Sequence, residues 1–394
     1  MPQENHNIVS WADAWRIYSR PTVLGMVFFG FSAGLPYLLV FSTLTAWLTE
    51  EGVSRSAIGL FAWVGMTYSV KVIWAPIVDR AVIPLLGGLL GQRRSWIFFG
   101  QILVVIGLIA ISILGASNLP LLALVSVIVA FGSSTQDIAI DAYRIEAIEE
   151  KYQGAMSASY ILGYRIALLV AGAGALYVAS FTDWSTVYLI MAALMGIGFG
   201  AVLLAKEPLF SRQRLIEETD GAFNVQKFDF LSAVINPFKD FFLRNGTFAL
   251  LIILLISVYR LSDIVMGIMA NPFYLDMGFS KIEIANITKV FGFFMTILGA
   301  FVGGLMIIKW GVGHCLLIGA IAVATTNLFF AKLALLANPD LNWLALTVSL
   351  DNLSGGFATT AFIAYLSGLT NKAYTATQYA PVSYTHPPSP RDRQ

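Results

Sequence analysis

Three ionisable residues, Asp137, Asp141 and Arg144, stand near the end of a long apolar run at positions i, i+4 and i+7. That spacing predicts that all three lie on one face of a helix. A charged side chain at the centre of a membrane helix costs roughly 2.5–3.5 kcal/mol, so we do not expect three of them to face lipid together. We expect them to face the interior of a helical bundle or a water-filled cavity, where carboxylates relay protons or contact a substrate.

The composition of the chain sets its class. Of the 394 residues, 57% are hydrophobic and only 12% are charged, whereas soluble domains carry about 25% charged residues. The formal net charge of +1 argues against nucleic acid as a partner. The single cysteine cannot form an intramolecular disulfide, and the three scattered histidines predict no metal centre. The sequence therefore predicts an all-α integral membrane protein without a metal or cofactor.

Ten apolar runs are long enough to cross a bilayer, and an eleventh begins near Tyr374. The ten runs cover residues 23–48, 57–78, 96–115, 120–142, 157–180, 186–205, 247–275, 284–308, 314–336 and 342–368. If the N-terminus is cytoplasmic, the inner loops carry most of the Lys and Arg residues and the outer loops carry only Arg55 and Lys281. We therefore expect a multi-pass protein with a cytoplasmic N-terminus. Residues 1–20 should form an amphipathic interfacial segment that precedes the first membrane helix.

The two halves of the chain resemble each other. Residues 48–58 recur as residues 274–284, and residues 119–124 recur as residues 341–346. Both matches place each helix opposite the helix six positions later, which predicts a parallel repeat of two six-helix bundles, the architecture of the major facilitator class. The expected parts are an N-terminal bundle with its amphipathic segment at 1–205, a cytoplasmic central loop at 206–245, a C-terminal bundle at 246–380 and a tail at 381–394.

The loop after the second predicted helix carries charged residues in a recognisable order. Asp79 and Arg80 are followed, after an apolar insertion, by Arg93 and Arg94. This pattern resembles the loop signature of the major facilitator superfamily, in which the loop forms a cytoplasmic latch through ion pairs and helix-end contacts. The resemblance implies a latch at these four residues. The alternative, that they only reflect the ordinary excess of positive charge on the cytoplasmic side, stays open.

Three further stretches support a narrower resemblance. Residues 136–146 near the end of the fourth helix, 30–37 in the first helix and 369–380 after the tenth helix are similar to signatures of AmpG-type muropeptide permeases. The resemblance covers about residues 10–380. It implies an inner-membrane carrier of Gram-negative bacteria that imports N-acetylglucosaminyl-anhydro-N-acetylmuramyl peptides from periplasm to cytoplasm, driven by the proton motive force. It also implies a role in cell-wall recycling and, in some species, in β-lactamase induction.

A bulky sugar-peptide with carboxylates requires cations, neutral donors and aromatic faces in the transport cavity. The candidate residues for substrate binding or proton coupling are Lys71, Gln136, Asp137, Asp141, Arg144, Tyr160, Tyr164, Arg165, Arg260, Asp263 and Asp351. Among them, Asp137 and Asp141 are the candidates for carrying the proton. We expect a central cavity, bordered by Lys71, on which Asp137, Asp141, Arg165, Arg260 and Asp351 converge.

Structural roles stay open for the same residues. Arg260 could pair with Asp263 at i, i+3, and the tyrosines could be packing residues that bond to neighbouring helices. The tenth helix carries a Gly355-Gly356 pair, which we expect to break the helix at mid-depth, although glycines of this kind also mark close helix packing.

Two other functions remain as alternatives. The chain could be a related facilitator that carries acetyl-CoA or another acidic metabolite. It could also be a membrane enzyme that acts on lipid-linked sugars, but the outer loops carry few acidic residues and no histidine, so the sequence favours a transporter.

From Pro381 onwards the apolar character of the sequence stops. Because proline does not continue a helix, we expect the eleventh helix to stop near Ala380 and residues 381–394 to be a non-native tail that packs against nothing. The second bundle would then be incomplete, with four helices and the start of a fifth. In that interpretation this chain is inactive, and a version extended by two helices transports. The alternative, a natural ten-helix protein with a disordered tail, stays open.

Overall fold

Apolar segments in lipid cannot leave backbone N–H and C=O groups unpaired, so the chain folds them into helices. The computed structural model describes residues 11–211, 230–259, 261–336 and 339–383, and no β-strand occurs in those ranges. The helices of the first half are α1 (Trp11–Arg16), α2 (Pro21–Leu39), α3 (Ser42–Glu50), α4 (Arg55–Leu60), α5 (Met66–Ser69), α6 (Ala75–Arg80), α7 (Leu86–Leu90), α8 (Gln92–Leu114), α9 (Leu119–Glu146), α10 (Gln153–Leu169), α11 (Ala175–Ala179), α12 (Trp184–Leu194) and α13 (Gly196–Leu204). Those of the second half are α14 (Phe230–Asn245), α15 (Phe248–Tyr259), α16 (Leu261–Asp276), α17 (Lys281–Ile284), α18 (Gly292–Trp310), α19 (Val312–Ala334), α20 (Leu341–Leu369) and α21 (Thr375–Ser383).

Eight of the described helical segments are long and apolar enough to cross a membrane, or up to nine if one bent pair counts as a single span. The eight are Pro21–Glu50, Arg55–Ile73, Gln92–Ser117, Leu119–Glu146, Glu150–Ala179, Trp184–Leu204, Ile282–Trp310 and Val312–Ala334. Two of the ten predicted spans are not among them. The run at 247–275 divides into the shorter helices α15 and α16, and α20, which contains Asp351, does not reach the apolarity of the others.

The chain forms two compact units, each assembled from separate segments. One unit comprises residues 1–26, 148–161 and 261–369, and the other comprises residues 27–147, 162–260 and 370–394. The predicted domain boundaries at residues 205 and 246 differ from the limits of these units and stay a prediction.

Close packing of α8 against α9 fixes the position of α9 in the unit that contains residues 27–147. A Cβ atom on Gly100 would lie 2.6 Å from the carbonyl oxygen of Gly132, so only glycine allows the two backbones to approach this closely. The Tyr188 hydroxyl donates a hydrogen bond of 2.7 Å to the Leu39 carbonyl and joins α12 to α2 in the same core. The close approach at Gly100 holds α9, which carries the charged stripe, against α8.

In the other unit, α18 and α19 pack against α20. Helix α20 runs without interruption from Leu341 to Leu369, so the predicted break at Gly355-Gly356 is wrong. A Cβ atom on Gly356 would collide with the backbone oxygen of Thr296 on α18. Gly356 therefore allows α20 to approach α18 closely and does not break α20.

At the end of the described chain, packing continues beyond Pro381, where we expected it to stop. Helix α21 continues across Pro381 to Ser383, and Ser383 is buried. Because α21 packs against α6 and α9, tertiary contacts hold the last turn although proline removes one backbone donor. The expectation is wrong for residues 381–383, and residues 384–394 lie outside the described residues.

The predicted orientation can be tested by thiol labelling near the start of the central loop. A cysteine at Ser211 would be a poor reporter because Ser211 is buried, whereas Leu209 is 76% exposed. Leu209→Cys should react with a membrane-impermeant maleimide only from the cytoplasmic side, and Thr182→Cys, exposed in a predicted outer loop, should react only from the periplasm. Native Cys315 is buried and should stay unlabelled. Labelling of position 209 from the periplasm would contradict the predicted orientation.

Candidate functional site

A cluster of charged residues lies along one face of α9. Asp137, Asp141 and Arg144 belong to one uninterrupted helix, as predicted. The Asp141 Oδ1 atom lies 3.6 Å from Arg144 Nη2, and the Arg144 side chain is 1% exposed. Lys71, in the neighbouring 3₁₀ segment Val70–Ile73, is buried and lies close enough to both aspartates to attract them. Two cations and two carboxylates therefore share one buried region of the unit.

Asp137 has one carboxylate oxygen that is not satisfied within this cluster. Its Oδ1 atom is buried and makes no hydrogen bond to any residue that the structure describes. The buried Tyr68 hydroxyl lies near Asp137 and Ser133. A buried polar atom without a partner costs free energy, and it marks a place for a water, a proton or a ligand group. The cluster can therefore exchange a proton at Asp137 or accept a donor from a substrate.

Helix α21 contributes side chains to this cluster that the candidate residues did not include. The Arg144 guanidinium lies 5.2 Å from the centre of the Tyr379 ring. Ser383 lies within hydrogen-bonding reach of Asp141. Tyr379 falls in the stretch 369–380 that carried the family resemblance, and this resemblance was the only indication in the sequence that Tyr379 belongs to the site. For Ser383, which follows Pro381, there was no such indication in the sequence.

Two hydrogen bonds hold α9 against its neighbours beside the charged stripe. The Trp74 Nε1 atom donates to the Thr135 hydroxyl at 3.1 Å, and the Gln136 side-chain amide donates to the Ser32 carbonyl at 2.8 Å. Gln136 thus makes a packing contact with α2, and its predicted part in substrate binding stays a prediction.

A second buried ionic network centres on Arg93 at the start of α8. Its Nη2 atom lies 2.8 Å from Asp79 Oδ1 and 2.6 Å from Glu146 Oε1, and the side chains of all three residues are at most 1% exposed. The Arg93 Nε atom also donates to both Glu146 oxygens at 3.2 Å. The apolar insertion at 81–90 therefore does not separate the two parts of the loop signature in space, and Arg93 joins α6, α8 and α9.

Asp79 uses its second oxygen to bind the first turn of α21. The Thr377 backbone N–H and hydroxyl donate to Asp79 Oδ2 at 3.1 and 3.0 Å. A carboxylate at the N-terminal turn of a helix pairs with unsatisfied N–H groups and with the positive end of the helix dipole. Arg80 lies over the Tyr374 ring at 5.5 Å, just before the same helix.

Reciprocal capping joins the start of α8 to the end of α13. Glu207 accepts hydrogen bonds from the backbone N–H groups of Arg93 and Arg94 at 2.7 and 3.2 Å. In return, Arg94 donates to the carbonyls of Val202 and Leu203 at 2.8 and 3.3 Å. Burial raises the pKa of the Glu207 carboxyl, while the two N–H groups oppose this shift. Glu207 lies over a hundred residues from its partners in the sequence, and no local pattern indicated it.

The remaining candidates do not form a described site together. Tyr164 and Arg165 are half-buried on α10 in the same unit as the charged cluster, whereas Tyr160 and the buried Asp351 belong to the other unit. Arg260 and the side chain of Asp263 lie outside the described residues. Their predicted convergence with Asp137 and Asp141 on a central cavity stays a prediction.

Comparison with known proteins identifies the family. The model of the Major Facilitator Superfamily matches residues 28–383. The anhydromuropeptide permease of Escherichia coli K12 is 35% identical over 373 residues, which cover 93% of this chain and 72% of that protein. The chain belongs to the AmpG-type permeases of the major facilitator superfamily. It is a multi-pass membrane transporter rather than an enzyme.

Two further similarities agree with this assignment. This chain is 35% identical to the protein of Rickettsia felis named "Putative transporter AmpG 4" over 372 residues, which cover 93% of this chain and 87% of that protein. The structure of the proton:xylose symporter XylE matches with a TM-score of 0.60 at 13% identity, covering 95% of the permease and 86% of XylE. At that identity the match to XylE establishes only the fold.

The central position of Arg93 leads to a stability prediction for the permease. Arg93→Met should lower the free energy of unfolding by about 3–5 kcal/mol, because the Asp79 and Glu146 carboxylates remain buried without their cation. The half-buried Arg94 is the matched control, and Arg94→Met should cost about 1–2 kcal/mol, since it removes only two hydrogen bonds to carbonyls. Thermal unfolding in detergent provides the comparison. Equal losses in the two variants would show that Arg93 has no special role.

Proposed function

We propose that the permease imports anhydro-muropeptides, N-acetylglucosaminyl-anhydro-N-acetylmuramyl peptides, across the bacterial inner membrane from periplasm to cytoplasm. The observation that carries this proposal is the buried cluster of Lys71, Asp137, Asp141 and Arg144, in which one carboxylate oxygen has no hydrogen-bond partner among the described residues. Import would be coupled to the proton motive force. The imported product would feed cell-wall recycling and, in species that sense it, β-lactamase induction.

The chemistry of the cluster suits an acidic sugar-peptide. Lys71 and Arg144 are buried cations, and an arginine guanidinium offers a planar fork to a carboxylate. We propose that the peptide carboxylates of the substrate compete for these cations with the aspartates. The 35% identity to a protein named anhydromuropeptide permease supports this substrate class over acetyl-CoA or another acidic metabolite.

Proton coupling would use Asp137 and Asp141. Carboxylates inside the membrane that line a transport route serve as proton relays in pumps and transporters. Moving one charge across 100 mV is worth about 2.3 kcal/mol, which is enough to bias a transport cycle in one direction. In this scheme Asp137 loads the proton while its unpaired oxygen is accessible, and Asp141, held near Arg144, responds to the change of charge.

The network around Arg93 would act as the latch of the same cycle. Asp79 holds the first turn of α21, and this contact consists of two hydrogen bonds that can break and form again. We propose that Asp79, Arg80, Arg93, Arg94 and Glu146 stabilise one state of the transporter on its cytoplasmic side.

Uptake in cells tests the proposed substrate. Cells that lack their own permease should accumulate labelled anhydro-muropeptide when they express this chain, and an uncoupler should abolish the accumulation because it removes the driving force. Unlabelled muropeptide should compete for uptake and acetyl-CoA should not. Expression of the chain in the membrane without any uptake, or uptake that is unchanged by the uncoupler, would contradict the substrate or the coupling respectively.

Neutralising the aspartates separates coupling from binding. Asp137→Asn and Asp141→Asn should each abolish uphill accumulation more than exchange across the membrane, since exchange returns the carrier without a net proton. Asp183→Asn, at an exposed helix cap, is the matched control and should leave both activities unchanged. Proton-driven accumulation at the parent level by both Asp137→Asn and Asp141→Asn would remove these residues from the coupling mechanism.

A further inference from the structure

Helix α14 carries its large apolar residues on the side that faces away from the protein. Leu231, Ile235, Phe238 and Phe242 recur at i, i+4, i+7 and i+11, and between 44% and 66% of each residue is exposed. The opposite side of the helix carries Asp240, and α14 packs against α6 and α21. An amphipathic helix of this kind needs an apolar environment for its outer face.

The turn after α14 points to the lipid bilayer as that environment. Gly246 adopts a left-handed conformation with φ +51°, and α14 and α15 meet at an angle of 109°. Helix α15 is apolar, and Ala249 is its only buried residue, so its surface is available to lipid. If α15 is embedded in the bilayer, a neighbour bent from it by 109° runs close to the plane of the membrane. The exposed stripe of α14 therefore continues the lipid-facing surface of α15.

The polar side of α14 is hydrogen-bonded to the start of α21. Asp240 accepts hydrogen bonds from the side-chain amides of Gln378 at 2.9 Å and Asn371 at 3.0 Å. Gln378 also donates to the Pro237 carbonyl at 2.8 Å, and its Oε1 atom accepts from the Asn371 backbone N–H at 2.7 Å. Arg244 completes the network, with its Nε atom 2.9 Å from Asp240. Asn371 and Gln378 belong to the family-like stretch 369–380, and the proposed transport mechanism gives them no role.

We propose that α14 is a membrane-surface strap, whose apolar stripe is inserted into one lipid leaflet and whose Asp240 holds the first turn of α21. In the predicted orientation this is the cytoplasmic leaflet. Lipid fixes the outer face of the strap and gives α21 an anchor away from the charged cluster. Thr377, which binds Asp79, is adjacent to Gln378, so the strap positions the residue that the latch engages. The proposal holds for any substrate of the permease.

Spin labels in liposomes test the lipid contact. In a Cys315→Ala background, Phe238→Cys and Asn236→Cys are labelled separately, because Phe238 lies on the stripe and Asn236 is exposed on its polar flank. Oxygen, which is concentrated in lipid, should reach the label at position 238 more readily than a water-soluble nickel chelate does, and position 236 should show the reverse. Equal nickel access at both positions would overturn the lipid contact. Protection of position 238 from both reagents would place a protein there and overturn it as well.

Exchanging donor and acceptor tests the link to α21. Gln378→Glu places two carboxylates at hydrogen-bonding distance, and adding Asp240→Asn restores one donor and one acceptor between these two side chains. The hydrogen bond from position 378 to the Pro237 carbonyl stays lost in both variants. The reporter is Ala376→Cys, at a position that is 1% exposed in the first turn of α21. Gln378→Glu removes the donor to Asp240 and to the Pro237 carbonyl and adds a second carboxylate, whose repulsion from Asp240 the exposed Arg244 offsets only in part. It should therefore raise the alkylation rate of the introduced cysteine about tenfold. The double variant should react more slowly than Gln378→Glu alone, because the repulsion between the two carboxylates is removed.

Native Cys315 provides an internal control in the same molecules. It is buried on α19, so a general loosening of the protein would raise its alkylation together with that of position 376. A local change at α21 should leave Cys315 unreactive. An unchanged rate in Gln378→Glu, a failure of Asp240→Asn to lower it again, or a parallel rise at Cys315 would each overturn the positioning role of Asp240.

Discussion

The described structure around the proposed site depends on the buried ion pairs of Arg93. A guanidinium that is fully removed from water is stable only if nearby carboxylates compensate its charge, and Asp79 and Glu146 do so from two other helices. Their positions are therefore not independent. The fork of the guanidinium fixes the end of α6, the start of α8 and the end of α9 relative to one another. All side chains of the charged cluster on α9 are placed within that frame.

Helix α21 is the element on which the separate networks meet. Within seven residues, Thr377 binds Asp79, Gln378 binds Asp240, Tyr379 lies against Arg144, and Ser383 lies near Asp141. Successive residues of a helix point in different directions, which is why one short helix can contact three neighbouring elements. Its own sequence is not strongly apolar, and these polar contacts add to the burial of Ala376, Tyr379 and Ala380 in holding it.

The sequence predicted the features that depend on periodicity and missed those that depend on distant contacts. The stripe of Asp137, Asp141 and Arg144 follows from the helical repeat and was predicted, as was the family. Glu207 and Thr377 complete the network around Arg93 and Asp79 from positions far along the chain, and no local pattern encodes such contacts. The predictions that packing ends at Pro381 and that the helix breaks at Gly356 were wrong for a related reason. Both are residues that weaken an isolated helix, but packing against neighbouring helices outweighs that weakness in α21 and α20.

The proposed coupling site and the latch share one rigid helix, and this limits how one could influence the other. Asp137, Asp141, Arg144 and Glu146 all lie on α9, which is held to α8 by backbone contact at Gly100. A change of charge at the aspartates cannot shift α9 without disrupting that packing, because close-packed interiors resist small displacements. Helix α21 also packs against α6 and α9, but its polar contacts, the hydrogen bonds from Thr377 to Asp79 and the approach of the Tyr379 ring to Arg144, end on side chains that can rearrange. In the proposed cycle, α21 is therefore the element that would move when the charge on α9 changes.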